Sequence, residues 1–194
     1  MQIVRRVKGL LMAPEREWET VEAERKSVRA LYGEYFVYLS LVPPFASFLG
    51  GYFFGFPRGT ADVAHLSLLG GLLRATLQYA LGLPMLYLVA FVVSSLAPHF
   101  EGRSNDTRAL ALVGYSYTPV WLAAFFGLAP GLRWLDVLGL YGLYVFYHGL
   151  PRMMRCPKDH ADVFTLTVLT VAFAAAALHA FLVHLAVPWL PLAP

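Results

Sequence analysis

The residues best suited to chemistry gather at one junction. Between residues 141 and 160 the run YGLYVFYHGLPRMMRCPKDH holds His148, Met153, Met154, Cys156 and His160. Thioether and thiolate ligands suit copper(I), and histidine with cysteine suits zinc. Zinc sites take three or four ligands, however, and Cys156 is the only cysteine of the chain. A mechanical reading is stronger. Gly149 and Pro151 end a helix, Arg152, Arg155 and Lys158 anchor the following turn among headgroups, and Pro157 opens the next helix. No metal and no cofactor is expected. His179 and His184 are five apart, about 140° round a straight helix, so they do not share one ion.

Other chemistry is sparse. No nucleophile–base pair, paired carboxylates or phosphate-binding glycine loop appears, which predicts a non-enzymatic protein. The apolar segments are read as lacking the Asp or Glu that proton and sodium relays place there. Gln78, Ser94, Ser95, Ser116, Thr118, Thr165, Thr167 and Thr170 are read as hydrogen-bonding groups between helices, and Arg74 as a long stem reaching the interface.

The elements that must position these groups are set by lipid. Of 194 residues 58% are hydrophobic and 14% charged, against about 45–50% and about 25% in ordinary soluble domains. Apolar segments run over residues 35–56, 72–96, 109–128, 135–150 and 163–187. Crossing the hydrocarbon takes roughly 17–25 residues, and only the fourth segment is short. The expected fold is therefore an all-α membrane protein, a five-transmembrane-helix bundle over residues 35–194. Pro43, Pro44, Pro84 and Pro119 fall inside spans and predict kinks. Gly51 and Gly55, and Ala172, Ala176 and Ala180, offer small faces for helix packing within the bundle or in a homo-oligomer.

Charge sets orientation. Twelve of the 15 Lys/Arg fall before residue 35, between spans two and three, or between spans four and five. The positive-inside rule puts those segments and the N-terminus in the cytoplasm and the C-terminus outside, as five crossings also require. Residues 1–34 form an N-terminal amphipathic cytoplasmic segment. Ile3, Val4, Val7, Leu10 and Leu11 make an apolar stripe with Arg5, Arg6 and Lys8 off it, and Pro14 begins a second helix with Glu15, Glu17 and Glu19 near its positive end. The short apolar stretch after Lys8 does not make a cleavable signal. The net charge of +3 does not point to nucleic acid.

Spans three and four are antiparallel neighbours in this reading. Tyr115, Tyr117, Tyr144, Tyr147 and His148 then converge beside a kink at Pro119. Arg152 and Arg155 close the pocket from below, with Lys158 close by, and a lipid headgroup or small anion would occupy it. An echo between LYGEYFVY at residues 31–38 and LYGLYVFY at residues 140–147 stops outside those eight positions and is read as coincidence.

Two blocks carry a family resemblance. GYSYTPVW at residues 114–121 and YGLYVFYHGLPRMMRCPKDHA at residues 141–161, with APEREWETVEAE at residues 13–24, resemble the bacterial branch of the Yip (Ypt/Rab-interacting protein) membrane family. The resemblance implies five spans with a cytoplasmic N-terminus. Eukaryotic members are associated with Rab-type GTPases through an Asp-Leu-Tyr-Gly-Pro motif. Ala30-Leu31-Tyr32-Gly33-Glu34 lacks its Asp and Pro, so that partnership is not carried over. The expectation is a scaffold or adaptor of the inner membrane that meets anionic lipid headgroups or a protein partner through its basic cytoplasmic face. The competing expectation is a small channel or transporter.

Overall fold

The computed structural model describes residues 2–58 and 62–186. Two short helices, α1 (Gln2–Met12) and α2 (Pro14–Glu24), precede α3 (Val28–Phe53). A two-stranded antiparallel hairpin, β1 (Phe56–Arg58) and β2 (Asp62–Ala64), leads to α4 (Leu68–Phe100) and α5 (Asp106–Leu128). A 3-10 segment (Pro130–Leu140) then feeds α6 (Tyr141–Met154), and α7 (Lys158–Ala186) closes the described chain.

Local signals start and stop these helices. Pro14 occupies the first turn of α2, with Glu15 and Glu17 beside its positive end. Ser27, Ser67 and Asn105 cap α3, α4 and α5 by accepting backbone N–H bonds of 3.3, 3.1 and 2.9 Å. Arg25 and Arg155 end α2 and α6 in the left-handed conformation. The prolines act unequally. α3 carries a π turn over Tyr32–Phe36 and breaks at Ser40–Leu41, just before Pro43 and Pro44. α5 steps at Tyr117, before Pro119, whereas α4 runs helically through Pro84.

Four helices among the described residues are long and apolar enough to cross a membrane: α3, α4, α5 and α7. The fourth predicted span differs. Residues 135–150 do not make one continuous helix, because the 3-10 coil extends to Leu140 and α6 starts only at Tyr141. Nor do Gly149 and Pro151 end α6, which continues to Met154. Pro151 costs α6 the one bond that an N–H there would give the Tyr147 carbonyl, and the helix stops within the next turn. Val187, the last residue of the fifth predicted span, lies outside the described residues. The two halves of the sequence echo also differ, one being π-helical at its centre and the other a 3-10 to α junction.

The bundle has two distinct ends. At the basic end, the Arg103 N–H donates to Met154 O at 2.7 Å, the Cys156 thiol donates to Phe100 O at 3.1 Å, and Phe100 stacks on Phe164 at 4.5 Å. At the opposite end α3 lies so close to the end of α5 that a Cβ on Gly50 would meet the Gly127 and Leu128 carbonyls at 3.0 Å. Between them the core is built on Phe36, Tyr115, Leu112, Val93 and Phe164, all buried. The outward band carries Phe45, Phe53, Leu68, Leu69, Phe91, Leu166, Phe173 and Phe181. So much exposed apolar surface fits lipid as the solvent.

Candidate functional site: a capped basic end and a polar cavity opposite

At the basic end α1 and α2 form a cap, and the motif glycines make room for it. A Cβ on Gly149 would stand 2.4 Å from Trp18 Cε2, and one on Gly114 would stand 2.1 Å from the Phe36 ring. Trp18 is fully buried in the first niche, and its indole N–H donates to Val145 O at 2.9 Å. Gly142 lets α6 touch the α5 backbone, since a Cβ there would lie 2.5 Å from Ser116 O.

Charge complementarity holds the cap down. Glu15, Glu19 and Glu22 share one face of α2 at spacings of four and three. Glu15 meets His148 Nδ1 at 3.2 Å, Glu19 meets Arg152 at 2.7 Å and Glu22 meets Arg108 at 3.7 Å. Arg6, expected on the solvated face of α1, is instead 6% exposed. It pairs with Glu17 and Glu24 of α2 and lies 5.3 Å over the Tyr115 ring. Burial alone would lower its pKa, but Tyr115, Glu24 and Glu17 hold it above its ordinary value. An apolar stripe on α1 did not reveal this, because the acids that neutralise Arg6 belong to the next helix.

The structure does not bring the predicted tyrosines together. Tyr115 is buried against Tyr35, Phe36 and Trp18, with ring centroids 5.0, 5.7 and 6.3 Å away. Tyr117, two residues on, turns about 200° round the helix and packs on Trp121 at 6.1 Å. Tyr144 and Tyr147 are 48% and 38% exposed, because Gly142, Phe146, Gly149 and Leu150 take the inward face of α6. Tyr144 and Tyr147 do meet His148, at 4.3 and 5.5 Å, and Arg152 follows His148 beneath α2. Pro119 is buried at the step in α5, while Arg155 and Lys158 are exposed at the turn between α6 and α7.

The soft-ligand residues are placed separately. Met153, Met154 and Cys156 are buried, His148 faces Glu15, and His160 faces Glu101 at 3.6 Å. Among the described residues no group of three or more His, Cys, Asp or Glu is placed to hold a metal. Burial, and then Glu101, push the Cys156 thiol above its ordinary pKa. Of the polar span residues, Ser94 bonds Ser104 at 3.0 Å, but Thr167 and Thr170 bond carbonyls of their own helix.

Cavities lie at both ends. One of about 470 Å³ at the basic end is lined by Arg25, Lys26, Arg108, Arg155, Glu22 and Glu24. One of about 460 Å³ at the opposite end is lined by Arg74, Gln78, Arg133, Asp136, His179 and His184. His179 Nε2 lies 3.0 Å from Gln78 O. Asp136 lies within the fourth apolar segment, so the reading that those segments lack a carboxylate does not hold. The pair Arg133 and Asp136, three apart beside an apolar run, was the available signal for this cavity. A buried layer of Tyr35, Phe36, Tyr115, Thr118 and Trp121 fills the middle of the bundle, tied by a 2.9 Å bond between the Tyr35 and Thr118 hydroxyls.

Comparison with known proteins agrees with this architecture. The chain is 25% identical to inner membrane protein YohC of Escherichia coli K12 over 168 residues, which cover 84% of this chain and 86% of that one. The protein of the same name from E. coli O6:H1 strain CFT073 gives the same figures. No solved structure matches. The Yip1 domain model matches residues 8–179, a stretch that runs from the cap through the motif glycines into α7, and the chain therefore belongs to the Yip1 domain family.

Proposed function

We propose that the chain is a non-enzymatic scaffold or adaptor of the inner membrane that works through its capped basic end. In this reading the polypeptide crosses the bilayer five times, with the N-terminus in the cytoplasm and the C-terminus outside. The composite segment supports the fifth crossing. Eleven residues of 3-10 coil at about 2 Å each and 14 of α-helix at about 1.5 Å each reach past a core of about 30 Å. It also leaves one end of the bundle and arrives at the other. A cysteine replacing Lys158 in a Cys156→Ser background checks the orientation: labelling from outside intact cells overturns it.

The observation that carries the adaptor reading is the ion-paired cap. Glu19 and Glu22 pair with Arg152 and Arg108, and Glu15 covers His148, which takes those bases out of the contact surface. While Lys26 pairs with Glu34 at 2.6 Å, Arg25, Arg155 and Lys158 remain on the same end to meet anionic headgroups or an acidic partner. Each contributes about 1 kcal/mol near an anionic surface. Crosslinking and co-purification from native membranes test it with Arg25→Glu, Arg155→Glu and Lys158→Glu combined. Loss of the captured proteins or anionic lipids is the expected result, and unchanged recovery overturns it.

The polar cavity favours a second reading, a channel or transporter. Gln78 lies ten residues into α4, about 15 Å deep. The aromatic layer around Tyr35 and Trp121 stands against an open path. Flux through proteoliposomes separates the readings, since only the second predicts any.

A further inference from the structure

The cavity opposite the cap differs from an ordinary packing defect in what lies next to it. An apolar groove of about 260 Å³ runs between α5, α6 and α7, lined by Leu143, Phe146, Leu169 and Phe173 among others, and it shares Val120 and Asp136 with the polar cavity. Along α7 the two follow in order. His184 and His179 line the polar part, and Ala176 to Thr165 line the groove over about 16 Å of helix. Polar surface therefore lies toward one end of the bundle and apolar surface runs inward from it. A membrane lipid has that same polarity in the leaflet at that end.

We infer that cavity and groove form one binding site for a glycerophospholipid, with its phosphate between Arg74 and Arg133 and one acyl chain in the groove. Guanidinium groups match phosphate oxygens in pairs, which favours phosphate over a simple halide-like anion. Asp136, at the junction, accepts from a headgroup hydroxyl or ammonium. Among the described residues neither Arg133 nor Asp136 takes part in an ion pair, in contrast to the ladder of the cap. The groove stays open because its walls are small. Ala172 and Ala176 line it, so the alanine face expected to pack helices instead leaves space for a chain, while Gly139 and Gly142 let the polypeptide behind the groove close on Val120 and Ser116. The rim is lipid-facing too, since Leu72, Leu73 and Phe181 are exposed beside the cavity. This site is at the end away from the cap and holds whether or not the cap has a partner.

Native mass spectrometry of the full chain, with lipids of matched acyl chains, tests the inference. Phosphatidylglycerol and phosphatidylethanolamine, whose headgroups carry donors for Asp136, are expected to be retained several-fold over phosphatidylcholine. Arg133→Gln, at an exposed position, lowers their retention roughly fivefold, the share of one basic group near an anionic one. Ala176→Leu fills the groove and lowers retention of all three lipids. Melting temperature and elution volume verify that both variants fold. Equal retention of the three headgroups by the unaltered chain overturns the inference, as does an Arg133→Gln variant that binds like it. Inorganic phosphate stabilising the unaltered chain and Ala176→Leu alike, without lipid preference, identifies a free-anion site and also overturns it.

Discussion

The two ends of the bundle handle charge in opposite ways. At the basic end the acids of α2 are spaced to meet the bases of α5 and α6, and Arg6 is buried between two carboxylates and an aromatic ring. At the other end Arg133 and Asp136 line a cavity and take part in no ion pair among the described residues. Glycine is used differently as well. Gly149 and Gly114 make room for the side chains of Trp18 and Phe36, whereas Gly139 and Gly142 let their segment close on the backbone of Val120 and Ser116. Matched charge and filled notches build structure. Arg133 and Asp136, which pair with nothing among the described residues, stand beside an open groove, where a ligand has something to contribute.

The largest effect that tests this contrast is at Trp18. Trp18→Ala removes a fully buried side chain and its bond to Val145 O, and large-to-small changes of this kind cost about 3–5 kcal/mol. The cap is expected to detach, so protease should cut within residues 1–27 of the variant and spare the unaltered chain. Resistance unchanged by the substitution would mean that the cap is not the rigid end. Arg6→Met comes next. It strands Glu17 and leaves Glu24 only Lys26 at 3.9 Å, and breaking a buried ion pair from one side costs about 3 kcal/mol or more. Adding Glu17→Gln and Glu24→Gln should recover part of the lost melting temperature; a further drop instead would refute the pairing argument.

Smaller effects sharpen the comparison. Arg152→Gln removes an exposed pair with Glu19 and should cost below about 0.5 kcal/mol, shrinking further as salt is raised. A salt-independent loss in thermal unfolding would show that Arg152 serves packing and not charge. The smallest effect is chemical. The thiolate is the reactive form of cysteine, and burial of Cys156 disfavours it. Alkylation of the folded chain should be slow at neutral pH and rise only above the ordinary thiol value of 9.0. The sign for stability follows: the protonated thiol is preferred in the folded state, so its contribution is present at lower pH and lost as pH rises through the raised pKa. Rapid alkylation at neutral pH would mean that Cys156 is exposed in solution.

Much of the local structure was legible. The start of α2 at Pro14 followed from proline and glutamate placement, and the apolar runs located the four long helices to within several residues. The acidic face of α2 was legible in principle, since Glu15, Glu19 and Glu22 follow helical spacing and so do His148 and Arg152 on α6. The predicted tyrosine cluster was not, because sharing a depth says nothing about which way each ring turns. Tyr115 and Tyr117 share a helix and a depth, yet face different neighbours.

By itself the sequence determined that this chain lives in lipid, which segments are helical and where its basic residues concentrate. Those properties are sums over neighbouring residues, and helical periodicity reads them directly. Tertiary structure alone decided that Arg6 is buried, that residues 130–140 coil as a 3-10 segment, and that Arg74, Gln78, Arg133 and His179 from three separate elements line one cavity. Each of these depends on contacts between separate elements, and a contact of that kind leaves no periodic trace in the chain.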